Sequence, residues 1–110
     1  MKKILISLMA LGTLSTATYA GCNAGACSSV KIESILILSN GSITVGTSGT
    51  ETGLTCTASG GRYLAIDANS IGKNAMYSAL LTAQTTKATL SIRTNDDAGA
   101  CKITYVFSKS

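Results

Sequence analysis

Two Ser-x-x-Lys spacings, Ser28 to Lys31 and Ser70 to Lys73, are the nearest this chain comes to a nucleophile with its base. On a helix that spacing lets a lysine one turn further on take the serine proton. Here the first pair stands at a strand entrance and the second at a helix start, where turn and capping roles explain both. The chain has no histidine, so the commonest general base is missing. Its carboxylates are Glu33, Glu51, Asp67, Asp96 and Asp97. Asn95-Asp96-Asp97 gathers oxygens of the kind that bind calcium, but no regular ligand spacing follows, and a plain acidic turn accounts for it. Without histidine or close Cys-x-x-Cys steps, zinc is not expected either. The residues therefore predict a protein that is not an enzyme, with no catalytic residue, no metal and no cofactor.

The four cysteines, Cys22, Cys27, Cys56 and Cys101, carry the remaining chemistry. They follow a start that reads as an export signal. Met1-Lys2-Lys3 is cationic, Ile4 to Leu11 is apolar but too short to span a bilayer, and Thr18-Tyr19-Ala20 ends on a small residue. A secretory signal peptide over 1–20 is expected, cut after Ala20. The mature domain, 21–110, is about 90 residues long. A domain of that size has a marginal core, and exported ones often lean on disulfides. Four cysteines allow three pairings. Cys22–Cys27 with Cys56–Cys101 is favoured, because the first closes a short loop and the second ties the middle of the chain to its last strand. Tyr19-Ala20-Gly21-Cys22 also partly matches a lipid-attachment signal, in which Cys22 would be acylated. Tyrosine three before the cysteine and the polar Thr/Ser spacer argue for ordinary cleavage instead.

Without Lys2 and Lys3, seven Lys/Arg face five Asp/Glu, and the basic residues are scattered from Lys31 to Lys109. No stripe could track phosphates, so nucleic acid is not an expected partner. No second apolar run has membrane-spanning length. The mature aromatics are only Tyr63, Tyr77, Tyr105 and Phe107. Sugar and base sites usually use an aromatic platform. Tyr77 sits on a helical apolar stripe, and Tyr105 and Phe107 read as inward. Tyr63 is the ring expected at the surface, and Asp67 and Asn69 beyond it are the companion ligand contacts. Thr47 to Thr52 is expected to be a flexible polar loop.

These residues must be positioned by a simple series of elements. Gly21 to Ser29 reads as a loop held by its cysteines. Val30 to Ser39 is a strand that turns apolar on both faces, and Asn40-Gly41 after it signals a type I′ hairpin. Ser42 to Gly46 returns, and Arg62 to Asp67 is a third strand. A helix over Lys73 to Lys87, capped by Asn69 or Ser70, carries Met76, Tyr77, Leu80, Leu81 and Ala83 on one stripe. Ala88 to Ile92 alternates cleanly, and Cys101, Ile103, Tyr105 and Phe107 share one side of a final strand. The order β-β-β-α-β-β is mainly β with one helix, the layout of a small five-stranded OB-fold barrel.

Four segments carry a resemblance: Leu54-Thr55-Cys56-Thr57, Tyr63-Leu64-Ala65-Ile66, Met76 to Ala83, and Gly99 to Val106. They resemble small exported proteins of Gram-negative bacteria that look like the OB-fold B subunits of bacterial toxins, of the subtilase cytotoxin type. The resemblance implies the barrel, a Cys56–Cys101 bridge, assembly as a homo-oligomeric ring and contact with a cell-surface glycan or protein. It carries no sugar-site motif onto particular residues. The resulting expectation is a periplasmic or secreted, non-catalytic binding module. The alternative is a monomeric periplasmic or surface protein with a structural or inhibitory role.

Overall fold

The computed structural model of this chain describes residues 21–108, and the expected signal peptide lies outside them. β1 is Gly21–Asn23, β2 Ala26–Ile37, β3 Ile43–Thr47 and β4 Leu64–Ile66. The helix α1 is Lys73–Thr86, and β5 (Thr89–Thr94) and β6 (Ile103–Phe107) follow it. The expected mainly-β chain with a single helix is therefore correct. The strands form an open, six-stranded sheet in the order β4-β3-β2-β5-β6, with β1 pairing β2. All of these ladders are antiparallel. The ends of the sheet meet at one parallel bridge between Ala65 and Lys102, where the Ala65 N–H donates to the Cys101 carbonyl over 3.0 Å.

The core lies between the inner face of this sheet and α1. It is built from alternate strand positions: Val30 and Ile32, Ile43 and Val45, Leu64 and Ile66, Leu90 and Ile92, with Ile103. From the helix stripe, Leu80 and Ala83 are buried and Met76 and Tyr77 pack against the core, while Leu81 stays exposed. Such a stripe stabilises the helix mainly through burial, about 1.5 to 3 kcal/mol for a full leucine. The helix starts at Gly72 with no side-chain cap, so neither Asn69 nor Ser70 caps it as expected. Ser70 instead uses its carbonyl to accept the Lys73 N–H at 3.1 Å.

Both favoured disulfides are present, Cys22–Cys27 and Cys56–Cys101. The Cys22 sulfur is thus taken by Cys27 rather than free for acylation. The segment expected to be a loop at Gly21 to Ser29 is a hairpin instead. Cys22 and Cys27 face each other across β1 and β2, turning at Ala24-Gly25. Ala24 holds a φ of 56° there, a conformation alanine rarely takes, which hid the turn from sequence reasoning. The β2–β3 hairpin also differs from the type I′ form. Gly41 has a φ of +94° but Asn40 is not left-handed. The Gly41 N–H closes a turn onto the Leu38 carbonyl (2.9 Å), the pattern of a turn followed by a single left-handed glycine.

The final strand departs most from its pattern. Opposite β5, Arg93 pairs with Tyr105 and Thr94 with Ile103, leaving Thr104 as an extra residue. A bulge of one residue moves every later side chain to the other face. Ile103 is buried and Val106 packs against the core, but Tyr105 and Phe107 are 52% and 48% exposed. The expectation that both rings point inward is therefore corrected.

Among the described residues no helix is long and apolar enough to cross a membrane.

Candidate functional surfaces

Two surfaces stand out once the elements are in place. The first is the outer face of β2, β3 and β4, opposite the core residues Ile43, Val45, Leu64 and Ile66. The register sets Ser34 opposite Gly46, and Leu36 opposite Thr44, which in turn faces Ala65. Gly46 is glycine for a reason: a Cβ there would come 2.6 Å from Ser34 Oγ and 3.4 Å from the Tyr63 ring edge. The Ser34 hydroxyl is buried without a hydrogen-bond partner, the one such side-chain atom among the described residues. The Arg62 guanidinium lies 5.7 Å from the Tyr63 ring centre, within cation–π range. Arg62 also pairs with Glu33 at 3.5 Å.

Tyr63 is half-buried rather than fully exposed, because it packs over Gly46. With Leu64 and Ile66 pointing inward, Tyr63 and Asp67 flank β4 on the same outer face. Asp67 is engaged by Lys102 at 3.2 Å. Asn69 is exposed in the turn that leads to the helix. Tyr63 thus stands at one end of β4 and Asp67 at the other, with Asn69 in the turn beyond. Sequence reasoning missed Ser34, since nothing in a Glu-Ser-Ile step announces a buried hydroxyl without a partner.

The second surface is a groove between α1 and β6. One part, about 400 Å³, is lined by Ala75, Met76 and Ala79 with Tyr105 and Val106. A second part, about 390 Å³, continues past Ala79 to Thr82, Thr86 and Leu90. Among the described residues no charged side chain lines either part. Beyond Lys102, β6 is the outer edge of the sheet. The tip of the β2–β3 hairpin is exposed as well, with Leu36, Ile37 and Leu38 at 39%, 61% and 41%.

The lysines of the two Ser-x-x-Lys spacings are each engaged by a backbone carbonyl. Lys73 turns its ammonium to the Gly41 carbonyl (3.0 Å) and Lys31 to the Lys87 carbonyl (3.5 Å). The acidic turn is knitted to itself: Asp97 Oδ1 accepts from Asn95 Nδ2 at 2.7 Å and from the Gly99 N–H at 3.0 Å, while Asp96 pairs with Arg93. Among the described residues no cluster of metal-ligating side chains occurs. The Thr47 to Thr52 segment is pinned rather than loose. Glu51 is buried, and its carboxylate accepts from the Thr47 N–H (2.7 Å) and the Thr47 hydroxyl (2.8 Å).

Compared with known proteins, the chain matches no family model, no curated protein and no solved structure.

Proposed function

We infer that this is an exported, non-catalytic binding module that works as a homo-oligomer and contacts a glycan or a protein. The observation that carries the reading is a pair of exposed apolar patches, one at a hairpin tip and one on the edge strand β6. One is Leu36, Ile37 and Leu38 at the β2–β3 tip, the other Tyr105 and Phe107 on β6. A monomer would leave both in water, and uncovered apolar patches, on an edge strand above all, invite association. The two patches differ, so a contact of one with the other would be head-to-tail, the kind that closes into rings.

The OB-like barrel belongs to the same proposal. In its favour, β2, β3, β4, α1, β5 and β6 follow the order that layout requires. The parallel bridge at Ala65 and Lys102 joins the two ends of the sheet. Ligands of OB folds bind on the face of their second and third strands, here the Tyr63 and Ser34 side of β3 and β4. Export is supported by the two disulfides, which persist in oxidising compartments. The resemblance to toxin B subunits supports the ring and the glycan.

Light scattering on the purified mature protein tests the assembly. The wild type runs as an oligomer, and Tyr105→Ser with Phe107→Ser reduces it to a monomer that keeps both disulfides. A wild type that stays monomeric at every concentration refutes the oligomer. If that monomer captures one periplasmic protein, the structural or inhibitory alternative takes its place.

A further inference from the structure

We propose that Asn40 is a site of spontaneous covalent modification, at which the Gly41 nitrogen attacks the Asn40 side chain and converts the hairpin tip to aspartate and isoaspartate. Asn40 is exposed at the end of the β2–β3 hairpin. The residue after it has no Cβ to hinder attack, and its nitrogen is free to react whenever its N–H leaves the Leu38 carbonyl, to which it donates at 2.9 Å. The electrophile is activated by the fold. Asn40 Oδ1 accepts from the Ser42 N–H at 2.9 Å and from the Ser42 hydroxyl at 2.7 Å. Both donors draw electron density from Cγ, and both face the oxygen on which negative charge develops as the tetrahedral intermediate forms. That is the logic by which oxyanion holes speed acyl transfer. The Lys73 ammonium, 3.0 Å from the Gly41 carbonyl, adds positive potential to the same tip.

The chemistry closes with water alone. The Gly41 N–H lets go of the Leu38 carbonyl, its nitrogen forms a bond to Cγ, and its proton passes to solvent. The bond from Cγ to Nδ2 breaks and ammonia leaves, so a five-membered imide remains. One water then opens the imide at either carbonyl. Opening at the backbone carbonyl leaves the chain running through the side chain as isoaspartate; opening at Cγ restores the ordinary backbone with aspartate. Either product places a carboxylate in the neighbourhood of Lys73.

The other asparagines lack this combination. Asn95 has its amide nitrogen held by Asp97 Oδ1 (2.7 Å) and the Ala100 carbonyl (3.1 Å). Asn74 lies within α1. Asn23, Asn69, Asn74 and Asn95 are each followed by a residue with a Cβ.

The test incubates the folded, disulfide-intact mature protein in mildly alkaline buffer. Intact mass, cation exchange and isoaspartate-resolved peptide maps follow it over time. The expected result is one progressively more acidic species, modified at Asn40 before any other asparagine and absent from Asn40→Gln. Ser42→Ala, which removes one of the two donors, slows the conversion by about tenfold. An unchanged Asn40, over a time in which an unfolded peptide of residues 38–44 is fully converted, overturns the proposal. So does earlier modification at Asn69, or a Ser42→Ala variant that reacts as fast as the wild type.

Discussion

Removing each disulfide in turn separates their contributions, and the structure says which matters more. Cys56 and Cys101 are 45 residues apart in sequence, Cys22 and Cys27 only 5. In the chain-entropy picture the longer loop restricts the unfolded chain by about 4 kcal/mol and the shorter by about 2 kcal/mol. Local structure points the same way. Beside Cys56–Cys101, the Thr57 N–H donates to the Gly99 carbonyl (2.8 Å) and the Cys101 N–H to the Thr57 carbonyl (3.1 Å). The adjoining seam between the sheet ends at Ala65 and Lys102 depends on the same placement. A domain of this size is stable by about 4 to 13 kcal/mol in all. Cys56→Ala with Cys101→Ala therefore removes a third or more of the total, and Cys22→Ala with Cys27→Ala about half as much. Urea unfolding followed by far-UV circular dichroism, with the remaining bridge kept oxidised, measures both. Equal losses, or a larger loss from the Cys22–Cys27 pair, would refute the loop-length reasoning.

The helix stripe gives a paired test. Leu80→Ala should cost about 3 kcal/mol, since Leu80 is fully buried, whereas Leu81→Ala should cost under about 1 kcal/mol; equal costs in urea melts would mean that α1 packs on a different face. Glu51→Ala strands two buried donors of Thr47 and should cost about 3 kcal/mol, while Glu51→Gln, which keeps an acceptor, loses about 1 kcal/mol. Thermal melts of the two variants decide this, and an alanine variant as stable as the glutamine one removes the anchoring role of Glu51.

Where the chain obeys one regular period, its structure was legible. Leu90 and Ile92 alternate as core, and Leu80 and Ala83 recur at helical spacing, so β5 and α1 follow from the pattern. The cysteine pairing followed from the short loop that one bridge closes and from the tie the other makes between mid-chain and last strand. What was not legible lies where one residue breaks the period. Thr104 is an ordinary strand residue in sequence, yet its insertion opposite Arg93 and Thr94 turns Tyr105 and Phe107 outward. Ala24 gives no turn signal, because alanine disfavours the conformation that the Cys22–Cys27 hairpin imposes on it. Glu51 falls in a stretch that reads as a flexible polar loop, and only the fold brings the Thr47 donors onto its carboxylate. That Tyr63 and Asp67 stand at the two ends of one short strand was legible from its alternation. The trapped Ser34 hydroxyl and the outward rings of β6 depend on cross-strand register, which no local pattern specifies.

The manner in which α1 begins has a consequence for the order of events during folding. It has no side-chain cap, no acidic residue in its first turn and no basic residue in its last. Near its end Thr85 and Thr86 spend their hydroxyls on the carbonyls of Leu81 and Thr82. Fourteen residues so equipped sit at the lower limit of what can hold a helical shape alone in water. The segment therefore coils only once Leu80 and Ala83 have a surface to settle on, and that surface consists of strands from both sides of it in sequence. The distant strands must find each other first, across an unstructured span, so assembly is paced by the slow search for long-range partners rather than by a quickly formed local nucleus.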